Sequence, residues 1–558
     1  MKTIIVGGVA GGMSAATRLR RLDEQAEIVV FERGAHVSYA NCGLPYYVGG
    51  VIPRREALLL QTPESLDARF RLDVRTGHEV TGIDGAAKTV TVRRRDTGAE
   101  FTESYDHLVL SLGAAPFTPP LPGVERALTL RDVTDVDALA AATDTALTAG
   151  RRATVIGAGF IGVEVAENLA ERGLSVTLVE LADQVLPPLD PEMAWYIAEE
   201  LIGRGIELRL GTQATAIGED HVTLSDGTTV SSDLVLLSIG VRPETRLARA
   251  AGITIGDRGG VVVDAAMRTN LPQVYAVGDM VEKTDVLTGA AALVPLANVA
   301  NKQGRRAADA IAGLPVPESS ASALGTAVVK VFDLTAAATG ASGKRLRAEG
   351  RQYVSVHIHP AHHAGYYPGA RQMHLKMLMG PVTGALLGAQ GVGAEGVERR
   401  IDVLATAIAG GLTGPDLIDL ELAYAPPFGS AKDPVNMLGY LADNILAGEQ
   451  VVSWNEVGPG SDPQIGARHG LLIDVRTPAE FAKGTIPGSV NIPVDELRAR
   501  HEEIPPGHNT VFCQVGQRGH VASRMLGQLG HDVANLSGGW LTWSAGQKAR
   551  ALASGRRP

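Results

Sequence analysis

Cysteine is nearly missing from this chain: 558 residues carry two, Cys42 and Cys513. They stand near opposite ends, with no CxxC or CxxxxC pair, which excludes a disulfide framework. A dithiol centre within the polypeptide is excluded too, because Cys42 has no local resolving partner. Such sparse cysteine fits a reducing, cytoplasmic compartment. Aromatics are scarce at 4%, so Ala, Val, Leu and Gly must carry the packing. No run reaches the roughly eighteen apolar residues of a membrane span, and no membrane partner is expected. A net charge of −10 argues against nucleic acid as partner. No His or Cys spacing marks a metal site.

What is present begins with glycine patterning. Thr3–Val6 reads as a β-branched strand, Gly7-Gly8-Val9-Ala10-Gly11-Gly12 as a turn into a helix, and Glu27–Phe31 as a second strand ending at Glu32. The opening residues mimic a signal peptide, but a βαβ unit accounts for them and also for the Arg-rich helix and second strand beyond them. Glycines let the backbone approach a pyrophosphate, the helix start offers unpaired N–H groups, and an acid about twenty residues on accepts from a ribose hydroxyl. Val9 departs from GxGxxG. A second copy is complete: Gly157, Gly159 and Gly162 come after a strand from Thr154, and Glu180 ends the next strand. A carboxylate there bonds the 2′-hydroxyl of NAD and repels the 2′-phosphate of NADP, which favours NADH over NADPH. Asp279 closes a third strand, Val274-Tyr-Ala-Val-Gly-Asp279.

Cys42 lies in SYANCGLPYYVGG, from Ser38 to Gly50. Glycines and prolines hold this stretch to an irregular path, so the thiol is expected in a rigid turn, as a redox nucleophile. Together these residues resemble the pyridine nucleotide–disulfide oxidoreductases. The single cysteine resembles the branch that holds coenzyme A-disulfide reductase, NADH oxidase and peroxidase. HAGYYPGA from His363 and AYAPPFGSAKDPVN from Ala423 resemble the dimerisation domain of the coenzyme A-disulfide reductases. Oxygen- and peroxide-reducing relatives usually carry a His early in the first helix; Ala10–Ala16 has none.

The resemblance implies FAD, with Asp279 on its ribityl chain, a homodimer, and coenzyme A as ligand. It implies that Tyr366 and Tyr424 approach Cys42 from the partner subunit. It gives Ser14, Arg18, Arg21, Ser38, Asn41 and Lys432 as coenzyme A contacts, with Arg69 and Arg71 as looser candidates. Ser14 and Arg18 share a helix face.

Near the C-terminus, Asp474-Val-Arg476, Thr485-Ile-Pro-Gly and Cys513-Gln-Val-Gly-Gln-Arg518 resemble a single-domain rhodanese, with Thr485 where that family usually has His. A loop of this length turns backbone N–H groups toward the sulfur and leads into a helix start, which favours a thiolate or persulfide. Related cell-cycle phosphatases use a longer loop, so sulfur transfer is favoured over phosphatase chemistry.

The expected fold is α/β: two Rossmann-like dinucleotide-binding domains, an α+β dimerisation domain and a C-terminal rhodanese-like α/β domain. The expected boundaries are 1–112 and 241–322 for FAD, 113–240 for NAD, 323–447 for dimerisation, 448–467 for a linker and 468–558 for rhodanese. The expected function is NADH-dependent reduction of coenzyme A disulfide, coenzyme A persulfide or polysulfide at Cys42, with Cys513 and Arg518 handling sulfane sulfur. An oxygen-using NADH oxidase, or a sulfurtransferase with an auxiliary flavin half, is the alternative.

Overall fold

The computed structural model describes residues 1–458 and 470–556. The chain divides into Met1–Val179 with Gln213–Gly325, and Glu180–Thr212 with Thr326–Pro558. In the first unit, Lys2–Val6 lies at the centre of a parallel sheet ordered Val274–Ala276, His107–Leu110, Lys2–Val6, Glu27–Glu32, Asp73–Thr76. Ile4, Ile5, Val29, Val30, Leu108 and Val109 are all buried. Continuous apolar runs are what a sheet covered on both faces requires. Helix Ala10–Leu22 comes after the first strand. Three more parallel strands, Ser175–Val179, Arg152–Ile156 and Leu234–Leu237, repeat the pattern, with helix Phe160–Glu171 after Ile156. Antiparallel ribbons, among them His78–Asp84, Thr89–Arg94, Glu100–Ser104 and Ala214–Ile217, His221–Leu224, Thr229–Ser231, also belong to this mixed α/β unit.

The second unit holds an antiparallel sheet ordered Ala327–Val331, Leu334–Gly340, Leu386–Gly393, Met373–Met379, Val354–Ile358. Helices Val397–Ala409 and Pro434–Leu446 belong to it. A second, parallel sheet is ordered Val451–Val452, Val533–Leu536, Asn509–Phe512, Leu472–Asp474, Val490–Asn491. The two sheets are tied by polar contacts: Ser537 Oγ accepts from His357 N at 3.0 Å and sits 3.1 Å from His357 Nδ1.

Two boundaries differ from expectation. Residues 180–212, expected in the nicotinamide domain, group with Thr326–Pro558. Asp190 and Glu192, at the start of helix Pro191–Gly203, pair with Lys376 at 2.8 and 2.5 Å, and Glu199 of the same helix pairs with Lys548 at 3.2 Å. That helix also buries Met193, Ala194, Ile197, Ala198 and Leu201, a stripe at helical spacing. Second, the expected linker 448–467 is not all linker. Val451 and Val452 pair with Asn535 and Leu536 as an edge strand of the parallel sheet. Trp454 is buried in the same core as Phe512 and Trp543. Residues 459–467 of that expected linker lie outside the described residues. Among the described residues no helix is long and apolar enough to cross a membrane.

Candidate active sites

The two glycine turns have the same build. Gly7 and Gly157 take φ of +104° and +105°, open to glycine but strained for other residues. A Cβ on Gly12 or Gly162 would lie 1.9 or 1.8 Å from the carbonyl of Gly7 or Gly157, so each helix seats directly on its own turn. Val9 is tolerated because its position, like Gly159, is a helix N-cap with negative φ. Neither N-cap offers a side-chain bond to the first turn, which leaves helix N–H groups open to an anion. A Cβ on Gly159 would meet nothing within 4 Å, an open cradle at the helix start.

Glu32 accepts from Gly8 N at 2.8 Å and Gly34 N at 2.7 Å, which fixes its carboxylate at the strand end. Glu180 is held in its own unit by Ala182 N at 2.8 Å. Asp279 comes after Val274–Ala276, in the turn Gly278–Met280. Its Oδ1 is buried without a hydrogen-bond partner, and burial pushes its carboxyl up against the pull of Lys283 and Arg131. A buried carboxylate oxygen without a donor awaits one from a ligand. These residues therefore fit FAD: a pyrophosphate at Gly7–Gly12, ribose at Glu32, a hydroxylated chain at Asp279. Lys283, which sequence reasoning missed, is buried beside this turn and donates to Gly278 O and Val281 O at 2.6 and 2.9 Å. Burial brings its ammonium down to about 8.

Cys42 stands exposed on the turn Asn41–Gly43, just before helix Leu44–Val48. Upstream, Ser38 is itself left-handed, φ +47°, and its N–H donates to Gly8 O at 2.8 Å. The turn is thus anchored on the glycine motif itself. Although a rim of Cys42 is open, protein around the sulfur pushes the thiol up, helped by the charges of Glu164 and Asp279. Tyr46, one turn on, donates to Glu164 Oε1 at 2.9 Å. Burial raises Glu164 while Tyr46 opposes the rise. Neither residue was anticipated, although Tyr46 lies in the cysteine stretch and Glu164 in the second glycine helix.

The expected coenzyme A contacts are only partly assembled. Ser14 and Arg18 do share a face, where Ser14 Oγ donates to Asn301 Oδ1 at 3.0 Å. Arg18 is not a free cation: its Nε binds Asp309 Oδ1 at 2.7 Å. Arg21, Asn41, Lys432 and Arg69 are exposed. Arg71 pairs with Glu24 at 3.2 Å. Tyr366 and Tyr424, distant in sequence, are brought together in the second unit with hydroxyls 3.1 Å apart. They are 77% and 48% exposed, so large aromatic surface faces outward on two adjoining loops. Ala364 N donates to Gly429 O at 2.9 Å, and Arg399 donates to Phe428 O and Ala423 O at 3.1 and 2.7 Å. Arg400, fully buried, ties His362 O to Asp433. These two arginines, unremarked in the sequence, hold the tyrosine loops.

Cys513 follows strand Asn509–Phe512, and Gly516 at φ +93° is the N-cap of helix Gln517–Gln528. Cys513 is buried, and Trp540 N and Leu541 N donate to Cys513 O and Gln514 O at 2.8 and 3.1 Å. Arg476 is bound to Asp474 at 2.6 Å and reaches Gln514 Oε1 at 3.1 Å. Thr485 donates to Asp474 Oδ2 at 2.7 Å, so a hydroxyl satisfies the buried carboxylate at the departing position. Arg518 is paired with Glu480.

Residues 1–304 match the profile of the pyridine nucleotide-disulphide oxidoreductases, 326–434 that of their dimerisation domain, and 462–546 that of the rhodanese-like domain. The chain is 37% identical over 443 residues to a coenzyme A disulfide reductase of Staphylococcus aureus, 79% of this chain and 99% of that one. It is similar to the solved structure of reduced Bacillus anthracis CoADR-RHD, at 46% identity, TM-score 0.94 and 98% coverage of both chains. It is also similar to an NAD-dependent persulfide reductase of A. fulgidus, at 35% identity and TM-score 0.89, over 97% of this chain and 100% of that one.

Proposed function

Because the chain belongs to the pyridine nucleotide-disulphide oxidoreductase family, and so is a flavoprotein disulfide oxidoreductase, we propose that it reduces coenzyme A disulfide and coenzyme A persulfide at Cys42. The observation that carries this is an exposed cysteine on a glycine-anchored turn, with no second cysteine in its unit. Its sulfur partner must then be an external thiol. Similarity to a coenzyme A disulfide reductase and to a persulfide reductase supports that reading over an oxygen-using NADH oxidase.

The Cys42 thiolate attacks one sulfur of the disulfide, expels one coenzyme A thiolate and keeps the other as a mixed disulfide. When bound, FAD and the nicotinamide supply the two electrons that return Cys42 and the second coenzyme A to thiols. Gly7, Gly8, Gly11, Gly12, Glu32 and Asp279 hold the flavin, and Gly157, Gly159, Gly162 and Glu180 hold the nicotinamide nucleotide. Glu180 makes NADH the preferred donor. Ser14, Arg18, Arg21, Ser38 and Asn41 position coenzyme A. Lys432 is a further coenzyme A contact, and in the homodimer we propose, Tyr366 and Tyr424 of one subunit serve Cys42 of the other, the phenols donating to the leaving sulfur. The outward aromatic surface supports that assembly.

Cys513 carries sulfane sulfur to coenzyme A for reduction at Cys42. Cys513→Ser is therefore expected to remove NADH consumption driven by a sulfane donor plus coenzyme A, and to spare consumption with preformed coenzyme A persulfide. Steady-state NADH oxidation with both substrates checks this. Loss of both activities would transfer the reaction to Cys513 and make the flavin half auxiliary.

A further inference from the structure

The cation that closes the Cys513 loop is already neutralised. Arg518 Nη1 and Nη2 donate to Glu480 Oε2 and Oε1 at 2.8 and 2.7 Å, a two-point fork. Glu480 is fixed from behind by a capping box: its Oε2 also accepts from Thr477 N and Oγ1 at 3.0 and 2.9 Å, while its own N–H bonds Thr477 Oγ1 at 3.3 Å. Arg518 holds that carboxyl down to about 2, so it is ionised at any working pH. Arg476, the other guanidinium touching the loop, is bound to Asp474 by three contacts of 2.6–3.1 Å. Each of these two guanidinium groups thus faces a carboxylate of the same fold.

Charge compensation decides which sulfur donor can enter. Thiosulfate brings two negative charges on a small ion, and its desolvation needs net positive charge at the loop. An organic persulfide brings at most one charge, at the terminal sulfur, and loop N–H groups can receive it. We propose that Glu480 is a specificity-determining residue that makes Cys513 take sulfane sulfur from organic persulfides and discriminate against oxyanion donors such as thiosulfate. The Cys513 thiolate attacks the outer sulfur of R–S–SH. The R–S bond to that sulfur breaks, RS⁻ leaves, and Cys513–S–SH forms with the proton retained, so no outside oxidant or reductant is needed. This rests on the reading of Cys513 as the sulfur carrier.

The test uses the full-length chain, with glutathione persulfide and thiosulfate as donors and cyanide as acceptor. The wild type is expected to favour the persulfide by about a hundredfold in kcat/KM. Glu480→Gln keeps the side-chain shape and removes the charge. It is expected to raise kcat/KM for thiosulfate about tenfold, to move the persulfide value less than about twofold, and to lose the gain at high salt. Glu480→Asp, which keeps the charge, is expected to retain the wild-type donor ratio. Equal changes for both donors, or a wild type that prefers thiosulfate, overturn the inference, and the wild-type ratio decides even if Glu480→Gln fails to fold. No Cys513-dependent transfer from either donor overturns the sulfur-carrier reading itself.

Discussion

Cys42→Ser is expected to lower NADH-dependent reduction of coenzyme A disulfide by roughly a thousandfold or more, with flavin content and melting temperature unchanged. The reasoning is chemical. Disulfide exchange needs a thiolate that attacks sulfur and then leaves from sulfur. A serine hydroxyl is not ionised in this range and forms no stable bond to sulfur. The replacement is almost isosteric on an exposed turn, so it disturbs no packing. Asp279, Glu32 and the glycine turns do not depend on the sulfur, so flavin binding is expected to survive. Retained turnover in the variant would place the acceptor site elsewhere.

Lys376→Met is expected to destabilise the second unit by about 3–5 kcal/mol, the cost of leaving a buried charge without its partner. Lys376 is buried between Glu192 and Asp190, and His357 Nε2 lies 3.0 Å from the same Glu192. Burial pulls the lysine down, but the two carboxylates more than reverse it, so its folded value lies above the ordinary one. Burial pushes Glu192 up, but Lys376 and His357 hold it below the usual carboxylate range. Asp190 is held low as well, by Lys376 against burial. The lysine therefore adds stability below its unfolded value near 10.4, lost as pH rises through the folded one. The carboxylates add stability above their unfolded values near 4, lost as pH falls through the folded ones. Wild type should thus be stable from about pH 5 to 10 with respect to this cluster. In Lys376→Met the carboxylates lose their buried cation and keep only hydrogen bonds, His357 on Glu192 and Gly343 N, Lys344 N and Gln390 Nε2 on Asp190; their values rise, and the pH dependence reverses: the variant gains stability between pH 7 and 5. Urea unfolding followed by tryptophan fluorescence at the two pH values measures both effects. An unchanged midpoint at pH 7 would show that the cluster is solvated in solution.

The same cluster shows what a sequence withholds. Asp190, Glu192 and Lys376 stand far apart in the sequence, and nothing local joins them. Their pairing accompanies the grouping of 180–212 with another unit, which a boundary drawn from the glycine motif could not foresee. The glycine turns were legible because their chemistry is local: φ beyond the reach of other residues and a helix seated on a carbonyl. Even Val9, an apparent flaw, fits because its φ is negative and open to any residue. The tyrosine loops were legible as motifs, but Arg399 and Arg400, which hold them, fall in a regular helix and carry no signal. Two-residue strand Val451–Val452 is too short to show a period of two, so its place in the sheet was hidden in what read as linker. Arg518 was legible as a loop cation, but its partner Glu480 was visible only as part of a helix start.

The most direct test of the central claim is the intact mass of protein purified without reductant, combined with digestion to map any adduct. The account predicts one coenzyme A joined through a disulfide to Cys42, released by reduction, and no such mass on Cys42→Ser. A free Cys42 thiol in the oxidised protein, or an adduct confined to Cys513, would contradict it.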